Sequence, residues 1–203
     1  MIRYLICACV TLLVGIAPMA NATVLVSEDF GTVSGGTYVS GQAVGPVFTL
    51  TSGNVDVLAG GFFGALCVTG TTQPCVDLNG SAPGSLASSS IVLAAGNYVL
   101  SFILNGSQRG VDASTTVTLG ALFTQTYVTP SATLNNLVTQ AITVASNTTA
   151  VLSFSSNTPG AVGSILDNIS LATAGAPGVP EPSSSVLLFL GALPLAWKFS
   201  RRA

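Results

Sequence analysis

Residues 96–105 read GNYVLSFILN. Tyr98, Leu100, Phe102 and Leu104 fall at every second position, so an extended chain turns all four to one side, as a half-buried strand requires. The same two-residue period recurs outward from this stretch. In "TTVTLGALFTQTYV", Val117 and Leu119 precede a glycine, then Phe123 and Tyr127 follow. "LVTQAITVA" offers Val138, Ile142 and Val144, interrupted by Gln140, and "AVLSFSS" and "SILDNISLA" close the run. Upstream, "TVLVSEDF", "VFTL" and "NVDVLAG" read as strands. Gly-Asn, Asn-Gly, Pro-Gly and Thr-Pro pairs punctuate the spaces, and no amphipathic helix is evident between Thr23 and Gly178. About ten short strands over about 155 residues predict an all-β, two-sheet jelly-roll sandwich. "GSAPGSLASSS", residues 80–90, reads as a loop within it.

The two ends are of a different kind. "MIRYLICACVTLLVGIAPMANA" has one early cation, Arg3, then an apolar run from Leu5 to Ala17. Ala20-Asn21-Ala22 supplies the small-x-small pattern of a cleavage site, so residues 1–22 read as a secretory signal peptide cut by signal peptidase after Ala22. The chain ends "VPEPSSSVLLFLGALPLAWKFSRRA", which holds three of the five Lys and Arg residues. Its apolar part, from Val186 to about Trp197 or Phe199, is shorter than the ~20 residues expected of a free membrane helix. Lys198, Arg201 and Arg202 would stay on the cytoplasmic side. The boundaries follow: signal peptide 1–22, sandwich 23–172, Pro/Ser/Gly linker 173–185, and membrane segment with basic stop 186–203.

Between the ends the chain is almost free of charge. Glu28, Asp29, Asp56, Asp77, Asp112 and Asp167 face a single base, Arg109, and there is no Lys or His. Nothing could neutralise phosphates, which excludes nucleic-acid binding. The abundance of Ser, Thr, Gly, Val and Leu predicts strands and turns with a neutral, hydroxyl-bearing surface. Cys7 and Cys9 leave with the signal peptide. Cys67 and Cys75 remain and, in an oxidising compartment, are expected to form a local disulfide.

Catalytic groups are scarce. Without His or Lys the body lacks Ser-His, Cys-His and Schiff-base machinery. Glu28 and Asp29 are adjacent, so in a strand they point to opposite faces and make a poor glycosidase pair. The body is therefore expected not to be an enzyme. Sugar stacking has candidates in Phe62 and Phe63 of "AGGFFGAL", with Tyr38 and Tyr127 as further rings. Strict alternation in the last strand sets Asp167 beside Ile165, Ile169 and Leu171, where an unpaired carboxylate would be costly. Three readings are open: an ion pair with Arg109, a Ca²⁺ site shared with Glu28 or Asp29, or a hydrated strand end or bulge. Asn-x-Ser/Thr sequences at Asn21, Asn79, Asn105, Asn147 and Asn168 arise easily in so Ser/Thr-rich a chain and are not read as glycosylation sites.

The C-terminal stretch resembles the PEP-CTERM sorting signal of exported proteins in Gram-negative bacteria. Val179, Pro180, Glu181 and Pro182 match the recognition motif, and Arg201 and Arg202 match the stop signal. The resemblance implies processing by exosortase, a membrane-embedded, transpeptidase-like cysteine enzyme. The body would be held transiently at the inner membrane, on its periplasmic side, then passed to the cell surface or extracellular matrix. Such systems accompany exopolysaccharide and biofilm loci. "LAAGNYVLSFILNGSQRG" and the closing "ILDNISLA" resemble the galactose-binding-like jelly rolls found before such tails. That resemblance implies a module that binds carbohydrate or only packs, with a structural Ca²⁺ sometimes held at the last strand, here Asp167. The expected role is a non-catalytic carbohydrate-binding module for exopolysaccharide. A purely structural or adhesive matrix protein is the alternative, and a glycan-active enzyme the third.

Overall fold

The computed structural model describes residues 22–59, 66–67 and 74–175. The signal peptide, the sorting motif, the membrane segment and the Phe62–Phe63 pair lie outside these residues. Among the described residues no helix is long and apolar enough to cross a membrane.

The described chain is a β-sandwich of short strands. In order they are β1 (Val24–Glu28), β2 (Gly36–Val39), β3 (Ala43–Val44), β4 (Phe48–Ser52), β5 (Asn54–Leu58), β6 (Cys75–Asp77), β7 (Ser85–Ser88) and β8 (Ile91–Leu93). Then follow β9 (Gly96–Asn105), β10 (Ala113–Leu119), β11 (Phe123–Thr129), β12 (Leu137–Val144), β13 (Thr148–Ala150), β14 (Leu152–Ser156) and β15 (Ile165–Thr173). One sheet runs β12-β9-β15-β6-β5-β2, with β1 also paired to β15. The other runs β11-β10-β14-β7-β4-β3, and β13-β8 forms a small separate ladder. The jelly-roll expectation holds.

The core fills from alternation. Tyr98, Leu100, Phe102 and Leu104 of β9 are buried together. They meet Val117 and Leu119 of β10 and Leu152 and Phe154 of β14 from the opposite sheet. Rings link the two sheets in a chain. Phe102 meets Phe154 edge-on at 5.2 Å, Phe154 meets Phe48 at 5.9 Å, and Phe102 meets Tyr127 at 5.7 Å. Such T-shaped pairs add to burial because ring edges are positive and faces negative. The glycine after Leu119 is a turn: Gly120 has φ +50 and joins β10 to β11 as a hairpin.

Two local readings are corrected. The 80–90 stretch is not all loop, because Ser85–Ser88 is β7, an interior strand between β14 and β4. It carries one large core side chain, Leu86, and small residues elsewhere, so its period is faint. The face assigned to β15 is also changed. The pairing of β15 with β9 slips between Asp167 and Ser170, and Asn168 has φ +49, in the left-handed region. This bulge resets the alternation. Leu166, Ile169 and Leu171 face the core. Ile165 instead joins Leu58, Cys67 and Cys75 in a second cluster on the outer side of the sheet. The disulfide is formed there, Cys67 to Cys75, with Cα atoms 5.7 Å apart.

Phe154 touches both Phe102 and Phe48, so truncating it removes contacts to two strands at once. Phe154→Ala is expected to lower unfolding free energy by about 3–5 kcal/mol, read from urea denaturation of the sandwich domain.

Candidate functional site

The outward face of the second sheet is a field of hydroxyls. With Val117, Leu119, Leu152, Phe154 and Leu86 turned inward, the alternate positions turn out. They are Ser114, Thr116 and Thr118 on β10, Thr124 and Thr126 on β11, Ser153 and Ser155 on β14, Ser85 on β7, and Thr49 on β4. The registers set them in rows: Thr126, Thr116, Ser155 and Ser85 form one, and Thr124, Thr118 and Ser153 another. Neighbours are bonded in pairs, Thr116 with Thr126 at 2.9 Å, Thr118 with Ser153 at 2.7 Å and Ser85 with Ser155 at 2.6 Å. Asn157 adds an amide, donating to Thr116 Oγ1 at 2.8 Å. Ala87 and Val128 interrupt the field, and none of these positions carries a charge or a ring. The composition predicted a hydroxyl-bearing surface. It did not show that the hydroxyls share one face, which follows only from strand order.

The one body cation is spent at an end of the first sheet. Arg109 pairs through Nη2 with Asp77 Oδ2, not with Asp167. The register explains it. Ile165 sits between Asp77 on β6 and Asn105 on β9, so a loop leaving β9 comes back over the end of β6. Asp167 lies further along β15, opposite Ile103. Asp77 is 1% exposed and Arg109 33%. The other Asp77 oxygen accepts the amides of Asn79 at 2.9 Å and Gly163 at 3.1 Å. Asn79 donates to the carbonyls of Thr158 and Gly160, both at 2.7 Å. A Cβ at Gly163 would fall 2.6 Å from Asn79 Oδ1 and 2.7 Å from Asp77 Oδ1, so only glycine fits there. Burial pushes the Asp77 carboxyl above its ordinary range, while the amides and Arg109 pull it back.

Glu28, Asp29 and Asp167 are each engaged with backbone. Glu28 is buried and accepts the amides of Phe30 at 2.9 Å and Val47 at 3.2 Å, latching β1 to the turn before β4. Burial raises its carboxyl above the ordinary value against those two bonds. Asp29 accepts the Gly31 amide and is exposed. Asp167, 3% exposed, accepts the Asn168 amide at 2.7 Å. Among the described residues no group of three or more His, Cys, Asp or Glu is placed to hold a metal. Burial, with the charge of Asp29 adding to it, pushes the Asp167 carboxyl up to about 6.

The ring candidates that are described turn inward. Tyr38 and Tyr127 are half-buried against the core, and the Tyr38 hydroxyl donates to the Ser34 carbonyl. Asn79 and Asn105 are fully buried. A cleft of about 340 Å³ lies between β1 and β8, lined by Leu25, Val26, Pro46, Val47 and residues 88–92, again without ring or charge.

Two tests follow. Arg109→Ala leaves a buried carboxylate uncompensated and is expected to cost about 1–3 kcal/mol. In double-mutant cycles the loss should couple with Asp77→Asn and be additive with Asp167→Asn within about 0.5 kcal/mol. For Asp167 the folded state holds the proton more tightly than the unfolded chain. Its contribution to stability is fully present below about pH 4 and is lost as pH rises through about 6. Asp167→Asn should therefore raise the Tm at pH 7.5 by about 2–4 °C, a gap that closes by about pH 4 in thermal scans.

No protein-family model matches the chain, and no curated relative does. Among solved structures it is similar to a family 35 carbohydrate-binding module from Clostridium thermocellum, at 14% identity over 76% of this chain and 100% of that one, with a TM-score of 0.41. It is similar to the CBM22-1 xylan-binding domain of Paenibacillus barcinonensis Xyn10C, at 16% identity over 79% and 99%, with a TM-score of 0.47. It is also similar to the CBM35 of Cellvibrio japonicus Abf62, at 13% identity over 78% and 100%, with a TM-score of 0.42. No residue role is carried over from them.

Proposed function

We propose that the chain is an exported, non-catalytic carbohydrate-binding protein of the cell surface or extracellular matrix. The observation that carries this reading is the charge-free face of paired Ser and Thr hydroxyls on the second sheet. Hydroxyls donate and accept alike, as sugar hydroxyls do, so such a face can exchange hydrogen bonds with a neutral polysaccharide. Four of the six body acids are engaged in structural bonds, which supports a non-catalytic role. Asp77 is tied to Arg109, Asp56 accepts the Thr37 hydroxyl, Asp112 accepts the Ser131 amide, and Glu28 holds two amides. No two of these four share a hydrogen-bonding partner.

Delivery belongs to the ends. The signal peptide would start export and signal peptidase would cut after Ala22. Exosortase would then act near Val179, Pro180, Glu181 and Pro182 while residues 186–203 hold the chain in the inner membrane. The released body would join exopolysaccharide in a biofilm.

Affinity electrophoresis of residues 23–174, which lie within the compact unit Ala22–Ala174 and carry its core, should show retardation in gels containing a neutral polysaccharide and little in gels containing an acidic one. Retardation by none, with no co-sedimentation with an insoluble neutral polysaccharide either, would leave a structural or adhesive role and overturn the binding reading. Phe62→Ala and Phe63→Ala tell whether those rings take part. For sorting, mass spectrometry of the native protein should find a mature C-terminus near residues 179–182; a chain intact through Ala203 would sink that part.

A further inference from the structure

We infer that the free edge of β12 is an association surface for a second copy of this chain, strand against strand, so that the first sheet continues across two molecules. The inference goes beyond the carbohydrate reading and does not depend on it.

A strand at the end of a sheet leaves the N–H and C=O of every second residue without a partner, and only another extended chain satisfies the whole row. β12 ends the first sheet and pairs with β9 alone. Two bonds fix which of its residues look outward. The Leu104 amide donates to the Asn136 carbonyl at 3.0 Å, and on the β15 side the Ala174 amide donates to the Asn97 carbonyl at 2.8 Å. The even residues of β9 therefore bond β12, and the odd ones bond β15. Through the register, Val138, Gln140, Ile142 and Val144 bond β9, while Thr139, Ala141 and Thr143 turn their backbone groups to the free edge. Among the described residues no other backbone group bonds these three. Their side chains are exposed as well.

Sheet proteins blunt such edges with charge, proline, bulges or brevity, and the other described edges here are blunted. β3 has two residues, β8 and β13 three each, and β2 four. The Val39 amide of β2 is also taken by the Gln42 side chain at 2.7 Å. β1 carries Glu28 and a slip in its register. On β11 the Gln125 side-chain amide caps the Thr126 carbonyl at 3.0 Å. β12 has none of these devices: it runs eight residues without charge or proline, in unbroken register with β9. Nor does charge keep a second copy away, since no Asp, Glu, Lys or Arg lies between Ala113 and Leu166. The occupant follows from self-complementarity, which a two-fold contact requires. With two β12 strands antiparallel about Ala141, that residue stands opposite its own copy and Thr139 stands opposite Thr143. Every outward amide and carbonyl of the three residues then finds a partner. Centring on Gln140 would instead call on the Leu137 amide, which already donates to the Asn135 carbonyl at 3.0 Å. Facing Thr side chains are a favourable cross-strand pair.

The test is analytical ultracentrifugation of residues 23–174 from about 1 μM to about 1 mM, the range in which weak association shows. A monomer–dimer equilibrium is expected, without larger species, because a two-fold contact uses up the edge. Ala141→Pro removes the central outward N–H without touching a bond to β9. It should weaken the dimer about tenfold or more. Ala141→Lys sets like charges opposite each other and should leave monomer, as should Ala141→Glu. Mixing those two variants should restore association as a mixed pair. Thr126→Lys, on β11, should leave association unchanged. Thermal scans show which variants are folded, and the two charged variants, at an exposed position, decide the matter where Ala141→Pro is not. Monomer throughout the range, open-ended growth, or association unchanged in the folded Ala141 variants overturns the inference. So does association lost in Thr126→Lys, or no recovery on mixing. None of these outcomes touches the carbohydrate reading.

Discussion

Strand β15 has three neighbours to satisfy, and it does so by breaking its own period. Along one edge it pairs with β9 for nearly its whole length, and along the other it pairs first with β6 and then with β1. An unbroken strand would put Leu166 on the opposite face from Ile169 and Leu171. The bulge after Asp167 brings all three to the core and turns Asp167 away from it. Everything at that end is placed by this choice. Ile165 is sent outward to floor the disulfide cluster, and Gly163 is set against Asp77 and Asn79.

What the chain reveals when read one residue at a time is what local period can encode. The four core residues of β9, the hydrophobic positions of β10, β11 and β12, and the Cys67–Cys75 bridge were all legible, because each depends on neighbours a few residues away. The strand Ser85–Ser88 was hidden because a core position filled by Leu86 alone, among serines and an alanine, leaves almost no hydrophobic contrast. The bulge was hidden because it lies in the backbone of Asn168, a residue that tolerates φ > 0 but does not announce it. The Arg109–Asp167 ion pair that the sequence leaves open is not the one that forms; Arg109 meets Asp77. Which acid it met depended on where two loops converge, separated by 32 positions in the chain.

The hydroxyl face is the clearest case of information held between strands. Each contributing segment, "STTVTL", "TQTYVT", "LSFSS" and "SLAS", alternates core residues or their edge equivalents with small hydroxyls. None of them says which neighbour it will lie beside. Strand order does, and it brings residues as distant as Ser85 and Ser155 to within a hydrogen bond.

The same face has a consequence for the medium in which it works. Contacts between charged surfaces weaken as salt shortens the reach of the field, from about 30 Å at 0.01 M ionic strength to about 3 Å at 1 M. A surface of hydroxyls without ionisable groups has no such field to lose. A neutral ligand bound there would be held with similar strength in dilute fresh water and in brine.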